Sequence, residues 1–321
     1  MTPTIFLLLG FLLLFFGGEL LVRGSVALAL KTKVSILVIG MTVVSFATSA
    51  PELFVSLHAI FEGSSNIALG NVIGSNIANI TLVLGVTAII FRVKISQQTL
   101  SLNYPMMLGA SILLGGVLYF FKGIPVSIGF LFVVLLILFV WFLIVNSRQE
   151  HLQDELKQDE LLASAKHDAL LKSIVFLILG MVSLKYGADF LVDSTKILAE
   201  NFGVSDRVIA VTVVAIGTSI PELAISIIAA LKKEHNLAVG NLIGSNIFNI
   251  LAVLGITASV KEINIDDYAI FSFDYFWMMV ITLALGVLIY ILSKQKISRK
   301  EGVLLVLLYI SYMYQNLSIV I

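Results

Sequence analysis

The chain has 321 residues, 59% apolar and only 12% charged, with a mean hydropathy of +1.05. Soluble domains carry about 25% charged residues, so a chain this apolar must have lipid for much of its solvent. Net charge is zero, which gives no field for nucleic acid, and the absence of cysteine excludes disulfides and thiolate metal sites.

A spanning helix needs about 20 apolar residues. Ten candidates follow in order, near 3–29, 34–61, 65–90, 104–121, 124–145, 170–199, 204–231, 236–260, 271–292 and 301–318. The first has no basic leader and runs on past Glu19 and Arg23, so it reads as a retained membrane helix. Between the fifth and sixth lies a polar stretch, 147–169, read as a solvated linker with room for a short surface helix. His151, His167 and His235 fall in or beside polar loops, and His58 stands alone in an apolar run as a packed or interfacial histidine. Neither a zinc nor a haem site is expected. With the N-terminus outside, the inside loops hold fourteen Lys and Arg and the outside loops only Lys122, Lys196, Arg207 and Lys261. That bias predicts both termini outside and the linker in the cytoplasm.

Shifted by 170 residues, the chain aligns with itself without a gap from about 17 to 89. TSAPEL at 48–53 meets TSIPEL at 218–223, and GNVIGSNIANI at 70–80 meets GNLIGSNIFNI at 240–250. Thirteen of eighteen positions between 70–87 and 240–257 are identical, and the matches include Asn and Ser, which a merely apolar bias does not produce. Each half holds five predicted spans. Five is odd, so the second half enters the membrane from the opposite side. The expected fold is an all-α membrane protein of ten transmembrane helices in two inverted-topology repeats. The first repeat is 1–146, the linker 147–169 and the second repeat 170–321.

The doubled segment carries the chemistry. Pro51 and Pro221 lack an N–H and crowd the carbonyls of Ala47 and Gly217, so the second and seventh spans should kink or break there. Backbone freed at membrane depth must face protein, water or a ligand. Glu52 and Glu222 follow at once, and an acid at the bilayer centre costs roughly 3 kcal/mol even on the lenient insertion scale. No basic residue lies in these spans at the depth of the two acids. Gly70 with Gly74, and Gly240 with Gly244, are small-residue pairs that allow close helix approach. Ser75 and Asn79 share a helix face, as do Ser245 and Asn249. The donors are all oxygen, which suits hard cations such as Ca²⁺ with its 6–8 oxygen ligands, and Na⁺ could compete for the same set. Glu19, Arg23, Asp189 and Asp193 lie on the first and sixth spans, as interfacial groups or as pairs within the bundle. Gly17, Gly18 and Gly187 mark close packing of those spans.

The paired TSxPEL and GNxxGSNIxNI segments resemble the alpha-repeats of the cation/calcium exchanger superfamily, in its sodium/calcium exchanger branch. The resemblance implies a secondary antiporter, not an enzyme, that exchanges Na⁺ for Ca²⁺ by alternating access in a cell membrane. It needs no cofactor and no obligate protein partner beyond the lipid bilayer. It implies that Glu52 and Glu222 ligate both ions and that Thr48 and Thr218 give mainly backbone carbonyls. By the same resemblance Ser49, Ser219, Ser75 and Ser245 line flanking Na⁺ sites and Asn79 and Asn249 complete the centre. The carbonyls of Ser45 and Ala215 are further Na⁺ ligands, and the long first and sixth spans slide against the other eight. One position departs from the pattern: the family's well-studied exchangers carry Asp where this chain has Asn249, so its centre has two formal charges, not three. The proton/calcium branch resembles GNAPE at the acidic segment and lacks the Thr–Ser pair that this chain has twice. The alternative kept open is a proton-coupled or broad-specificity divalent cation exchanger on the same fold. A cation channel and a membrane hydrolase fit less well, because the site is doubled and inverted and no nucleophile–base pair accompanies the acids.

Overall fold

The computed structural model describes residues 3–150, 170–201, 217–265, 267–292 and 295–320. The helices, in chain order, are α1 (Pro3–Thr32), α2 (Ile36–Thr48), α3 (Ala50–Phe61), α4 (Ser65–Ile90), α5 (Thr99–Phe121) and α6 (Val126–Glu150). After the linker come α7 (Leu170–Asn201), α8 (Ile220–Leu231), α9 (His235–Val260), α10 (Ile270–Leu292) and α11 (Arg299–Val320). Among the described residues seven helices are long and apolar enough to cross a membrane, or eight with the bent α2–α3 pair taken as one span. Of the ten predicted spans, the seventh is described only from residue 217, and α11 occupies the tenth. Of the predicted linker at 147–169, residues 147–150 continue α6 and 151–169 lie outside the described residues.

Lipid-facing positions account for the composition. Phe11, Phe15, Phe130, Ile137, Trp141 and Ile178 are exposed on α1, α6 and α7. In water such faces would be a liability, whereas in hydrocarbon they are matched to their solvent. By contrast α9 is buried along its whole apolar length. It packs against α2 through glycine: a Cβ on Gly244 would come within 2.6 Å of Met41 Cα and 2.7 Å of its carbonyl oxygen. Gly240 is as close, 2.5 Å from Leu37 O, so the predicted small-residue approach is found in this half. The matching partners of Gly70 and Gly74 would be residues 207–211, outside the described residues. Because backbone atoms are in the way, Gly244→Ala forces the two helices apart rather than turning a side chain, at a cost of about 1–3 kcal/mol or more. The expected result is a lower thermal midpoint and a reduced monodisperse fraction in detergent, read by fluorescence-detected gel filtration on a heating series.

α1 and α7 run against each other along a seam of small residues seven apart. A Cβ on Gly10 would lie 2.9 Å from Gly187 O, on Gly17 2.9 Å from Leu184 N, and on Gly24 2.9 Å from Ser173 O. Ser183 Oγ donates to Leu13 O across the seam at 3.0 Å. Of the glycines flagged in the sequence, Gly17 and Gly187 belong to this seam. Gly18 instead faces Ile228 of α8. The polar residues on these helices divide likewise. Glu19 pairs with Lys232 at 2.6 Å, tying α1 to the end of α8, and Asp189 pairs with Lys185 of its own helix at 2.6 Å. Arg23 stacks over Phe176 of α7, with the guanidinium carbon 5.2 Å from the ring centroid.

Two short antiparallel ribbons fix the sides. β1 (Val93–Lys94) pairs with β4 (Lys296–Ile297), and β2 (Gly123–Ile124) pairs with β3 (Ile263–Asn264). β1 and β2 sit at opposite ends of α5, so β3 lies at the opposite end from β1. β1 and β3 are equivalent positions under the 170-residue shift.

Candidate cation centre

Proline dictates where the broken helices restart. At Ser49 the backbone leaves helical geometry (φ −83°, ψ 0°), and at Ser219 it does the same (φ −89°, ψ 2°). Ala50 and Ile220 begin the new helices, with Pro51 and Pro221 in the first turn, where a missing N–H costs nothing. The α2–α3 bend is 42°. The break therefore sits two residues before the proline, at the serine, rather than at the proline itself. Glu52 and Glu222 fall in the first turn of their helices, at the positive end of the backbone dipole, where a carboxylate is favoured.

Two unbroken helices close over these breaks. Thr48 Oγ1 lies 3.2 Å from Ser245 Oγ of α9, and Thr218 Oγ1 lies 3.5 Å from Ser75 Oγ of α4. These two contacts are one contact written twice, since 48 and 75 become 218 and 245 on the 170-residue shift. Ser75 Oγ also donates to Glu52 Oε1 at 3.3 Å. Glu222 is in electrostatic reach of Glu52 and faces the Thr48 hydroxyl. At Asn79 and Asn249 both helices switch to wide π-type winding, over Asn79–Val83 and Asn249–Leu254. Such segments are rare and collect at functional sites.

Glu52, Glu222 and Asn249 are 0% exposed and Asn79 1%. Even so, several of their polar atoms have no hydrogen-bond partner among the described residues: Glu52 Oε2, both oxygens of Glu222, both amide atoms of Asn79 and Asn249 Oδ1. The buried hydroxyls of Ser49 and Ser219 are in the same condition. An unpaired buried polar group costs about 1–3 kcal/mol, and native proteins carry only a few per hundred residues. Nearly all of these unpartnered atoms are oxygens, the donor type that hard cations take. Among the described residues no group of three or more His, Cys, Asp and Glu converges, so neutral oxygens must supply most of the ligands.

Direct contacts join Thr48 to Ser245 and Ser75 to both Thr218 and Glu52, with Glu222 facing Thr48; Ser49 and Ser219 adjoin them at the breaks, Asn249 is reached through Asn76, and no hydrogen bond among the described residues ties Asn79 to the group. Ser45 lies beside them, with its carbonyl accepting from Ser49 N at 2.9 Å and its hydroxyl donating to Asn241 O at 2.9 Å. Ala215 lies outside the described residues. Four asparagines join the network that the motif reading passed over. Asn71 Nδ2 donates to Glu52 O at 3.1 Å and to Ser56 Oγ at 3.0 Å. Asn241 Oδ1 accepts from Thr48 at 3.2 Å. Asn76 and Asn246 bridge the two halves, with Asn76 Nδ2 on Asn246 O at 3.3 Å and Asn249 Nδ2 on Asn76 Oδ1 at 3.1 Å. Their signal was in the sequence: all four are identical across the repeat and polar within an apolar run.

Comparison with known proteins fits this geometry. The family model described as sodium/calcium exchanger protein matches residues 2–145 and 172–317. The sodium/calcium exchanger MaX1 of Methanosarcina acetivorans is 32% identical, with 96% of each chain covered. Inner membrane protein YrbG of Escherichia coli is 35% identical over 94% of this chain and 93% of its own. The solved structure of the sodium-calcium exchanger NCX_Mj soaked with zero Na⁺ and Ca²⁺ superposes with a TM-score of 0.81 at 30% identity, covering 97% of this chain and 98% of that one. With a doubled acidic break, oxygen-lined and buried in a multi-pass membrane fold, and with both halves matched by one family model, the chain belongs to the sodium/calcium exchanger family of ion transporters.

Proposed function

We propose that this protein exchanges Na⁺ for Ca²⁺ across the cell membrane by alternating access, with the ions bound between two inverted five-helix repeats. The observation that carries this reading is the pair Glu52 and Glu222, wholly buried and in electrostatic reach of each other. Two carboxylates neutralise one Ca²⁺. Asn79 and Asn249 supply central oxygen, and Thr48 and Thr218 give backbone carbonyls. Ser49, Ser219, Ser75 and Ser245, with the Ser45 and Ala215 carbonyls, hold flanking Na⁺. The repeats are 1–146 and 170–321, joined by a cytoplasmic linker at 147–169, with both termini outside. The opposite placement of β1 and β3 supports the inversion. The glycine seam supports α1 and α7 moving as one body against the rest.

The Thr–Ser hydroxyl pairs at both breaks favour Na⁺ over H⁺ as the counter-ion, because they add neutral oxygens where a proton needs only the carboxylates. Purified protein in Na⁺-loaded liposomes is expected to take up ⁴⁵Ca²⁺ when diluted into Na⁺-free buffer, and to stop when the Na⁺ gradient is abolished. Uptake that follows an imposed pH gradient and ignores Na⁺ would establish the proton-coupled alternative instead.

A further inference from the structure

We infer that Asn76 is a positioning residue for the cation centre: it fixes which end of the Asn249 amide faces the carboxylates. The inference rests on the centre proposed above. An asparagine side chain has one accepting and one donating end, and its neighbours decide which way it turns. Here the chain of bonds starts from a group with no choice. Asn246 O is a backbone carbonyl and can only accept, so Asn76 must turn its Nδ2 toward it, at 3.3 Å. That leaves Asn76 Oδ1 as an acceptor for Asn249 Nδ2, at 3.1 Å. Asn249 Oδ1 is then the free end, in a residue 0% exposed and with no partner for that oxygen among the described residues. Turning either amide sets oxygen against oxygen, or N–H against N–H. A cation at the centre therefore meets oxygen at position 249 and never the partial positive charge of an NH₂ group.

The equivalent arm of the first repeat lacks this device. Asn246, which corresponds to Asn76, donates its Nδ2 to Met107 Sδ at 3.5 Å, and its Oδ1 has no partner among the described residues. Asn79, which corresponds to Asn249, has both amide atoms unpartnered among them. Two arms that share their Ser and Asn positions thus differ in constraint: one amide is locked, while no hydrogen bond among the described residues holds the other.

The test is a double-mutant cycle on reconstituted full-length protein, read as the Ca²⁺ concentration for half-maximal Na⁺-driven uptake and as maximal rate. Asn249→Ala is expected to raise the half-saturating concentration about tenfold and Asn76→Ala about fivefold, with the double variant no worse than Asn249→Ala, since contacting residues that act as a unit are non-additive. Maximal rates should stay within about twofold, because the lost interaction is one of ion binding. The pair Asn246→Ala and Asn79→Ala, run as control, should show independent effects, because the anchoring carbonyl of residue 246 survives the substitution. If Asn76→Ala does not yield folded protein, Asn76→Ser, whose shorter hydroxyl bonds its own helix backbone instead of bridging Asn246 O and Asn249, takes its place under the same expectation. Effects that multiply, or an Asn76 variant with unchanged half-saturation, overturn the inference alone. An Asn249→Ala protein with unchanged Ca²⁺ dependence overturns it together with the assignment of Asn249 to the centre.

Discussion

Glu222→Gln is expected to abolish Na⁺-driven Ca²⁺ exchange while leaving the protein folded, and Glu52→Gln to do nearly the same. The amide keeps the shape of the side chain and removes its charge. A unit charge 4 Å from another at an effective dielectric near 20 interacts by about 4 kcal/mol, and a divalent ion doubles that, so Ca²⁺ stands to lose at least on the order of a thousandfold in affinity. Glu222 should be the more sensitive. Both its carboxylate oxygens lack a partner among the described residues, whereas Glu52 Oε1 is already engaged by Ser75. Flux of ⁴⁵Ca²⁺ into liposomes gives the first readout, and retention of full exchange by either variant removes that residue from the centre.

Stability supplies an independent check with the opposite sign. Without cations the two carboxylates repel inside a buried site, so neutralising one should leave the thermal midpoint unchanged or raise it. Wild-type protein should gain stability with Ca²⁺, by about 2.7 kcal/mol at a hundred times the dissociation constant, and the Gln variants should gain almost none. A variant that has merely misfolded lacks both a wild-type midpoint and a Ca²⁺ response; one that has lost its ion keeps the midpoint and lacks only the Ca²⁺ response.

The outline of the site was legible because its elements are costly and written twice. A proline and an acid inside an apolar run violate two rules at once, and the 170-residue shift brought them together without any structure. The position of the break was less legible. Proline announces a broken helix, but the chain satisfies it by restarting so that Pro51 falls in a first turn, which moves the irregular residue back to Ser49. The π-type windings at Asn79 and Asn249 left no mark in periodicity, because one residue per turn of extra width disappears where every face is buried. Asn76 and Asn246 were visible as letters but not as partners. Their bonds run between halves, and helix periodicity speaks only of residues on one helix. Even the repeat misleads at that point, since equivalent asparagines are held differently: Asn249 makes a bond that Asn79 does not.

Asn249→Asp should change the ion dependence of transport in a pH-dependent way. The substitution replaces the donor that faces Asn76 Oδ1 at 3.1 Å with an acceptor. Asn76 cannot answer by turning, because its other end is held to Asn246 O. A protonated carboxyl at position 249 can still donate to Asn76 and carries the same charge as the native amide. An ionised one adds a third negative charge to a centre that already holds Glu52 and Glu222. The two forms therefore predict different transporters. At low pH the variant's Na⁺ and Ca²⁺ dependence should approach that of the wild type measured at the same pH. As pH rises and the new carboxyl ionises, the curves should separate, with half-saturating Ca²⁺ moving by about tenfold or more and a steeper dependence on Na⁺, since a third charge near two others is worth up to about 4 kcal/mol per neighbour at 4 Å. Parallel flux titrations of both proteins from pH 6 to 9 (roughly, on either side of neutral) decide the matter. Superimposable curves throughout would mean that no third negative charge reaches the transported ions from position 249.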